Sequence, residues 1–277
     1  MSRMSFQAAT TMRELQTKMD LIGHNVSNTN TTGYKSQMAN FNSLLYQNID
    51  NFGDVEANAE GRVSPHGIRQ GAGARLGHTN IDLSQGTVTT TDRALDVALL
   101  EDNQLLEVEV TENGNTETRY TRDGSLYLQP TDTGEVALVT RNGHAVLNPA
   151  GAPITLAEDF DDVNIDDQGQ LVVTRGAATL VEGQLSVSEA IRPQFLEATG
   201  NNLFRLPDLT EVAFNAADII DQVAVNDITL AAGRLEASNV NLSTQMTDLI
   251  QSQRAYQFNA RSISMHDQMR GLINQMR

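Results

Sequence analysis

The sequence predicts an α+β protein in which N- and C-terminal helices pair as an α-helical coiled-coil domain, while the chain between them folds as a hairpin-rich, all-β domain. Three observations carry that reading. Apolar residues recur every three or four positions at both ends, they alternate in short runs through the middle, and the charge divides along the same lines. Residues 1–76 hold seven basic and six acidic side chains, 77–233 hold seven against 26, and 234–277 hold five against three. The formal net charge of −16 therefore arises in the middle of the chain.

At the N-terminus, Met4, Ala8, Met12, Leu15, Met19, Ile22 and Val26 follow the spacing of a coiled-coil seam, with no proline and no glycine before Gly23. The run ends in His24-Asn25-Val26-Ser27-Asn28-Thr29-Asn30-Thr31-Thr32-Gly33-Tyr34-Lys35. Asparagine and glycine tolerate left-handed backbone, and Asn and Thr side chains can satisfy a helix's free carbonyls and neighbouring amides. This stretch is expected to stop the helix and turn the chain away from it, with Tyr34 and Phe41 as packing anchors. Residues 35–76 then read as an extended arm.

From 77 to 207, alternating runs predict strands at Gly77 to Leu83, Leu95 to Leu100, Leu105 to Thr111, Thr118 to Arg122, Ser125 to Gln129, Val136 to Thr140, Leu171 to Thr174 and Gly183 to Val187. Hairpin turns are expected at Asn113-Gly114, Asp123-Gly124, Thr133-Gly134, Asn142-Gly143 and Gln168-Gly169. Residues 208–233 are read as a return linker, with a short helix as the alternative for its acidic, apolar part. The seam then resumes at Leu242, Met246, Leu249, Gln253, Tyr256, Ala260 and Ile263, and continues with slipped phase at Met265, Met269, Leu272 and Met276. With no glycine between Arg234 and Arg270, one helix of about 40 residues, about 60 Å long, fits the tail. Ser238 or Asn239 is its expected cap. The division is thus 1–34 with 234–277 as the helical assembly domain, 35–76 the arm, 77–207 the β domain and 208–233 the linker.

Composition removes several kinds of chemistry. With no cysteine there is no disulfide, thiolate metal site or thiol nucleophile, and with no tryptophan a sugar-binding aromatic platform is lacking. The acidic middle would repel nucleic acid and anionic membranes. No apolar run is long enough to span a bilayer or to serve as a secretory signal. The five histidines, His24, His66, His78, His144 and His266, show no metal-ligand spacing. A calcium-loop reading of Asn164, Asp166, Gln168 and Gly169 fails at the twelfth position, where Arg175 stands in place of a bidentate glutamate. Three Asn-x-Ser/Thr triplets, at Asn25, Asn30 and Asn241, are discounted as chance matches. No enzyme, cofactor, metal or small-molecule substrate is expected.

Both ends carry a recognisable pattern. Asn25-Val26-Ser27-Asn28-Thr29-Asn30-Thr31-Thr32-Gly33-Tyr34-Lys35 with Phe41, and Gly233-Arg234-Leu235-Glu236-Ala237-Ser238-Asn239-Val240-Asn241 with Gln253-Arg254-Ala255-Tyr256-Gln257 and Asn259, resemble the two signatures of the flagellar rod and hook protein family. Ser84-Gln85-Gly86, Leu95-Asp96-Val97-Ala98, Arg119-Tyr120-Thr121-Arg122-Asp123-Gly124-Ser125 and Gly200-Asn201-Asn202-Leu203-Phe204 are similar to that family's middle segments. Length and details of the arm look closest to distal-rod or hook-basal-body members from Gram-positive bacteria. One segment departs: where the family usually has a glycine-rich step, this chain reads Leu99-Leu100-Glu101-Asp102-Asn103-Gln104-Leu105-Leu106, so a different local turn is expected.

The resemblance implies a structural axial subunit, located extracytoplasmically in the flagellar basal body. It implies export through the flagellar apparatus without a cleaved signal, passage through peptidoglycan, and helical polymerisation with copies of itself and neighbouring rod and hook proteins. It marks Asn25, Asn28, Asn30, Thr32, Gly33, Tyr34, Phe41, Leu235, Glu236, Ser238, Asn239, Val240, Arg254, Tyr256 and Asn259 as assembly or structural positions. A hook or proximal-rod role is the alternative, and a peptidoglycan-binding or cleaving protein the more distant one.

Overall fold

The structure, a computed structural model, describes residues 3–50, 67–71, 73–112, 114–131, 134–208 and 215–276. Parts of the expected turns at Asn113-Gly114 and Thr133-Gly134, and much of the arm, lie outside these residues. Described elements are mostly β, with a helix at each end, α1 (Arg3–Ser27), a short α2 (Ala216–Ile219) and α3 (Leu242–Gln275). The chain divides into two compact units. One comprises Met1–His24, Met38–Thr79 and Ser243–Arg277, and the other Asn25–Gln37 and Asn80–Leu242.

The second unit is built on an antiparallel sheet whose organising strand is Gln104–Glu112. Its partners are Asn115–Thr121 across a hairpin, Ala145–Val146, and Val187–Ala190. Successive side chains of a strand face opposite ways, so this one strand feeds two cores. Leu106, Val108 and Val110 join a large cluster with Leu126, Leu138, Val146, Leu156 and Val187, while Leu105 joins a second with Tyr120, Phe204, Ile219 and Ile220. A three-stranded sheet of Asp162–Ile165, Gln170–Arg175 and Ala178–Gln184 adds Val163, Ile165, Leu171 and Val173 to the large cluster. Most expected strands appear within two or three residues of their predicted bounds. Gly183 to Val187 instead divides between Ala178–Gln184 and Val187–Ala190, because Leu185 and Ser186 turn from one sheet into the other.

The turns show what the glycines do. Gly143 and Gly169 close hairpins with φ of +82° and +77°. Asp123-Gly124, expected as a hairpin, joins strands that pair elsewhere, Asn115–Thr121 with Leu203–Arg205 and Leu126–Pro130 with Glu135–Thr140. Gly124 is required for another reason: a Cβ there would lie 1.8 Å from the Val97 carbonyl oxygen. At the departure from the family pattern, Asn103 takes φ +61°, supplying the left-handed residue without glycine.

Residues 208–233, read as a return linker, contribute structure of their own in their described part. Ile220–Gln222 pairs with Val187–Ala190 and Leu230–Ala232 pairs with Val97–Leu99, burying Ile219, Ile220, Ile228 and Leu230. Apolar residues spaced too irregularly for a strand pattern are held here by long-range pairing. Arg234–Glu236, expected to lead into the helix, pairs as a strand with Val88–Thr90.

In the first unit, strand Gln37–Ser43 pairs with Ala74–Ile81, and Tyr46–Asp50 pairs antiparallel with Gly67–Gly71. Most of the described part of the arm is thus β-paired. Helix α1 bonds to it: Glu14 Oε2 accepts the Leu76 amide at 2.7 Å, and the Gln7 side-chain amide donates to the Gly71 carbonyl. Gln7, Ala8 and Thr11 of α1, with Asn259, Ile263, Met265, Met269 and Leu272 of α3, line a groove of about 550 Å³. Much of α3 remains uncovered, including Ile250, Phe258, Leu272 and Ile273.

Candidate functional site: a buried junction of three chain segments

Helix α1 stops at Ser27, and the Asn28 and Thr29 amides turn back onto the Asn25 and Val26 carbonyls. Thr29 Oγ1 also donates to Val26 O, at 2.9 Å. Asn25 is buried and acts through its side chain: its Nδ2 donates to Gln37 O at 2.8 Å, and its Oδ1 accepts from Gln37 N and from the Tyr34 hydroxyl. None of Asn25, Asn28 and Asn30 takes the expected left-handed backbone; Gly33 does, with φ +66°. A side chain there would meet the Arg122 and Asp123 backbone at 2.6 Å, so glycine is needed for conformation and for space.

That contact places the turn on the middle of the sequence. Thr32 Oγ1 donates to Asp123 Oδ1, and Asn202 Nδ2 donates to Thr32 O. The C-terminal signature meets the same turn. The Gly33 amide donates to Glu236 O at 2.9 Å, and Asn239 Oδ1 accepts the Ser36 amide while its Nδ2 donates to Asp82 O. Asn239 is therefore a cross-link rather than the expected cap of α3, which begins three residues later. Ser238 Oγ accepts the Val240 amide, and Val240 is buried.

The centre of this junction is ionic. Glu236 Oε1 accepts from Lys35 Nζ and from the Gly86 amide, each at 2.6 Å, and Glu236 Oε2 accepts from Arg122 Nε at 2.6 Å. Both cationic side chains have no solvent exposure and the carboxylate has 1%. The remaining donors meet carbonyls: Lys35 Nζ that of Ser84, and Arg122 those of Gln104 and Leu99. Burial and the adjacent Arg122 guanidinium pull the Lys35 ammonium below its usual range, opposed by Glu236 and Asp82. Burial pushes the Tyr34 phenol up to about 12. A carboxylate shared by one guanidinium and one ammonium group, each also bonded to backbone carbonyls, fixes position rather than moving protons. Among the described residues, no group of three or more His, Asp and Glu is placed to hold a metal.

Of the marked positions, Asn25, Thr32, Gly33, Tyr34, Glu236, Asn239 and Val240 lie in this second unit, with Leu235 in the short strand pair and Asn28 bonded to Thr31 at the turn. Asn30 is exposed. Phe41 is exposed too, with the Lys18 ammonium over its ring at 5.9 Å, because its strand belongs to the arm and not to a core. Arg254, Tyr256 and Asn259 belong to α3 in the first unit, where Arg254 is exposed and Asn259 Nδ2 bonds within the helix to Ala255 O. The resemblance does not mark Lys35 or Arg122, although each stands inside one of its motifs. A charged residue is read as solvated by default, and the signal against that default was the lone glutamate in the C-terminal motif.

Several residues of the junction, among them Asn25, Gly33, Lys35, Arg122, Glu236 and Asn239, fall within ranges matched by known sequence families. A family profile described as flagella basal body rod protein matches residues 7–35, one described as flagellar hook protein FlgE/F/G D1 domain matches 106–173, and one described as flagellar basal body rod FlgEFG protein C-terminal matches 231–276. The flagellar hook-basal body complex protein FlhP of Bacillus subtilis is 40% identical over 282 aligned residues, covering 100% of each chain. This chain belongs to the flagellar basal-body rod and hook protein family. The flagellar basal-body rod protein FlgG of Caulobacter vibrioides is 32% identical over 98% of this chain and 97% of its own, and that of Bacillus subtilis 30% over 99% of each. The family is one of structural flagellar proteins, so a rod or hook subunit of the basal body is the role in which the junction has to be understood. No helix among the described residues is long and apolar enough to cross a membrane.

Proposed function

We propose that this chain is a distal-rod subunit that polymerises helically, with copies of itself and neighbouring rod and hook proteins, into the shaft carrying torque from motor to hook. The observation that carries this is the uncovered apolar surface of α3, where Ile250, Phe258, Met265, Met269, Leu272 and Ile273 are exposed. Exposed apolar side chains spread along one helix mark an interaction surface, and copies of the same near-neutral ends approach without electrostatic cost. In this reading α1 and α3 pack as coiled coils in the inner layer of the shaft and the acidic β region faces outward. The arm of residues 35–76 connects the layers, and 208–233 returns the chain through the β region. The marked residues around Gly33 and Glu236 hold the turn after Ser27 against the strand Arg234–Glu236. Arg254, Tyr256 and Asn259 serve contacts along α3. Subunits leave the cytoplasm by the flagellar export apparatus, without a cleaved signal, and the finished shaft passes through peptidoglycan.

The family profile spanning hook and rod proteins favours a second reading, a hook or proximal-rod subunit. Deleting the gene and imaging isolated basal bodies separates them. Loss of hook and filament with part of the rod retained is the expected result. Loss of the whole rod indicates a proximal position, a complete rod without a hook indicates a hook position, and intact rotating flagella would remove both readings.

A further inference from the structure

All nine methionines of the chain lie within residues 1–38 and 246–276, and none in the β region. With no cysteine, methionine is the chain's only sulfur. Those on α3 and at its end are open to solvent, with Met246, Met265, Met269 and Met276 exposed to 42, 54, 56 and 89%. On α1, Met12 and Met19 are half-buried. Met265 and Met269 also line the 550 Å³ groove, which has room for a small oxidant. The other apolar residues of this surface, Ile250, Phe258, Leu272 and Ile273, resist such reagents.

We propose that Met246, Met265, Met269 and Met276 form a reversible oxidation site through which peroxide-class oxidants block incorporation of the free subunit. Hydrogen peroxide transfers one oxygen to the thioether sulfur. The O–O bond breaks, an S=O bond forms, water leaves, and the sulfur is oxidised by two electrons. A dithiol-dependent methionine sulfoxide reductase reverses the step, producing thioether, disulfide and water. Each sulfoxide replaces a flexible apolar side chain by a polar one, on the surface that must become dry on assembly. The consequence for assembly rests on the function proposed above; the selectivity of oxidation does not.

The test has two parts. The purified full chain is exposed to hydrogen peroxide and its sulfoxides are mapped by peptide mass spectrometry. Oxidation at Met246, Met265, Met269 and Met276 several-fold faster than at Met12 and Met19 is expected, and equal rates would overturn the site. A deletion strain is then complemented with the wild-type chain or with Met246→Leu, Met265→Leu, Met269→Leu and Met276→Leu combined, and pulsed with peroxide while flagella are being built. Hook number in each strain is read relative to that strain's own culture without peroxide, so any effect of the leucine substitutions on assembly itself cancels. Under peroxide, new hooks should fall several-fold only with the wild-type chain. Equal losses in both strains would overturn the proposal, including the case in which exposed Met38 is responsible. Absence of any flagellar defect in the deletion strain would instead count against the function, leaving the sulfoxide map to decide the site.

Discussion

Glu236 is the residue on which the junction depends, because its single carboxylate faces two buried cations. Glu236→Gln keeps the shape and leaves Lys35 and Arg122 without a counter-charge, a change expected to cost about 3–5 kcal/mol of β-region stability. Urea unfolding followed by far-ultraviolet circular dichroism measures it, and an unchanged midpoint would deny the triad its structural role. Tyr34 gives a pH signature. Its phenol lies near 10.0 when exposed and about 12 when folded. Below pH 10 both states keep the proton. Between 10 and 12 the unfolded chain releases it first, so stability falls with rising pH, and the loss is complete above 12. Tyr120, raised to about 12 mainly by burial, acts in the same window. Tyr34→Phe should lose about 1 kcal/mol at neutral pH, for the hydrogen bond to Asn25, and show a shallower alkaline decline.

At the scale of elements, α3 and the strands answer to different contacts. Most of the strand plan was legible, since alternation through Leu106, Val108 and Val110 follows from burial of one face, and the continuous apolar run of Val136 to Val139 from burial of both. Arg234–Glu236 was not, because three residues carry too little pattern and its pairing partner, Val88–Thr90, lies far away in sequence. Helix α3 was legible in extent but not in environment, as the same apolar spacing serves a helix that is covered and one that waits for a partner. Leu272→Glu with Ile273→Glu should therefore leave β-region unfolding unchanged within about 0.5 kcal/mol, as expected for exposed positions. Motility should nevertheless be lost; swimming at wild-type speed would show that this end of α3 makes no essential contact.

For the whole molecule, charge is unevenly distributed in a way that bears on assembly. The 77–233 region, with 26 acidic against seven basic residues, repels its own copies, whereas the terminal segments do not. Screening shortens from about 10 Å at 0.1 M salt to about 3 Å at 1 M. Self-association of the free chain should accordingly rise with salt. Sedimentation velocity at the two concentrations tests this, and association that weakens at high salt would point to ionic contacts rather than apolar ones.

The sequence by itself determined the family, the helical ends, most strands and the placement of charge, because each of these is written in local periodicity, composition or contiguous motifs. Only the tertiary structure decided that Lys35, Arg122 and Glu236 meet, that Asn239 binds Ser36 and Asp82 rather than capping α3, and that Gly33 must lack a side chain. Those facts join residues about 90 to 200 positions apart, and no local pattern encodes which buried charge will find which partner.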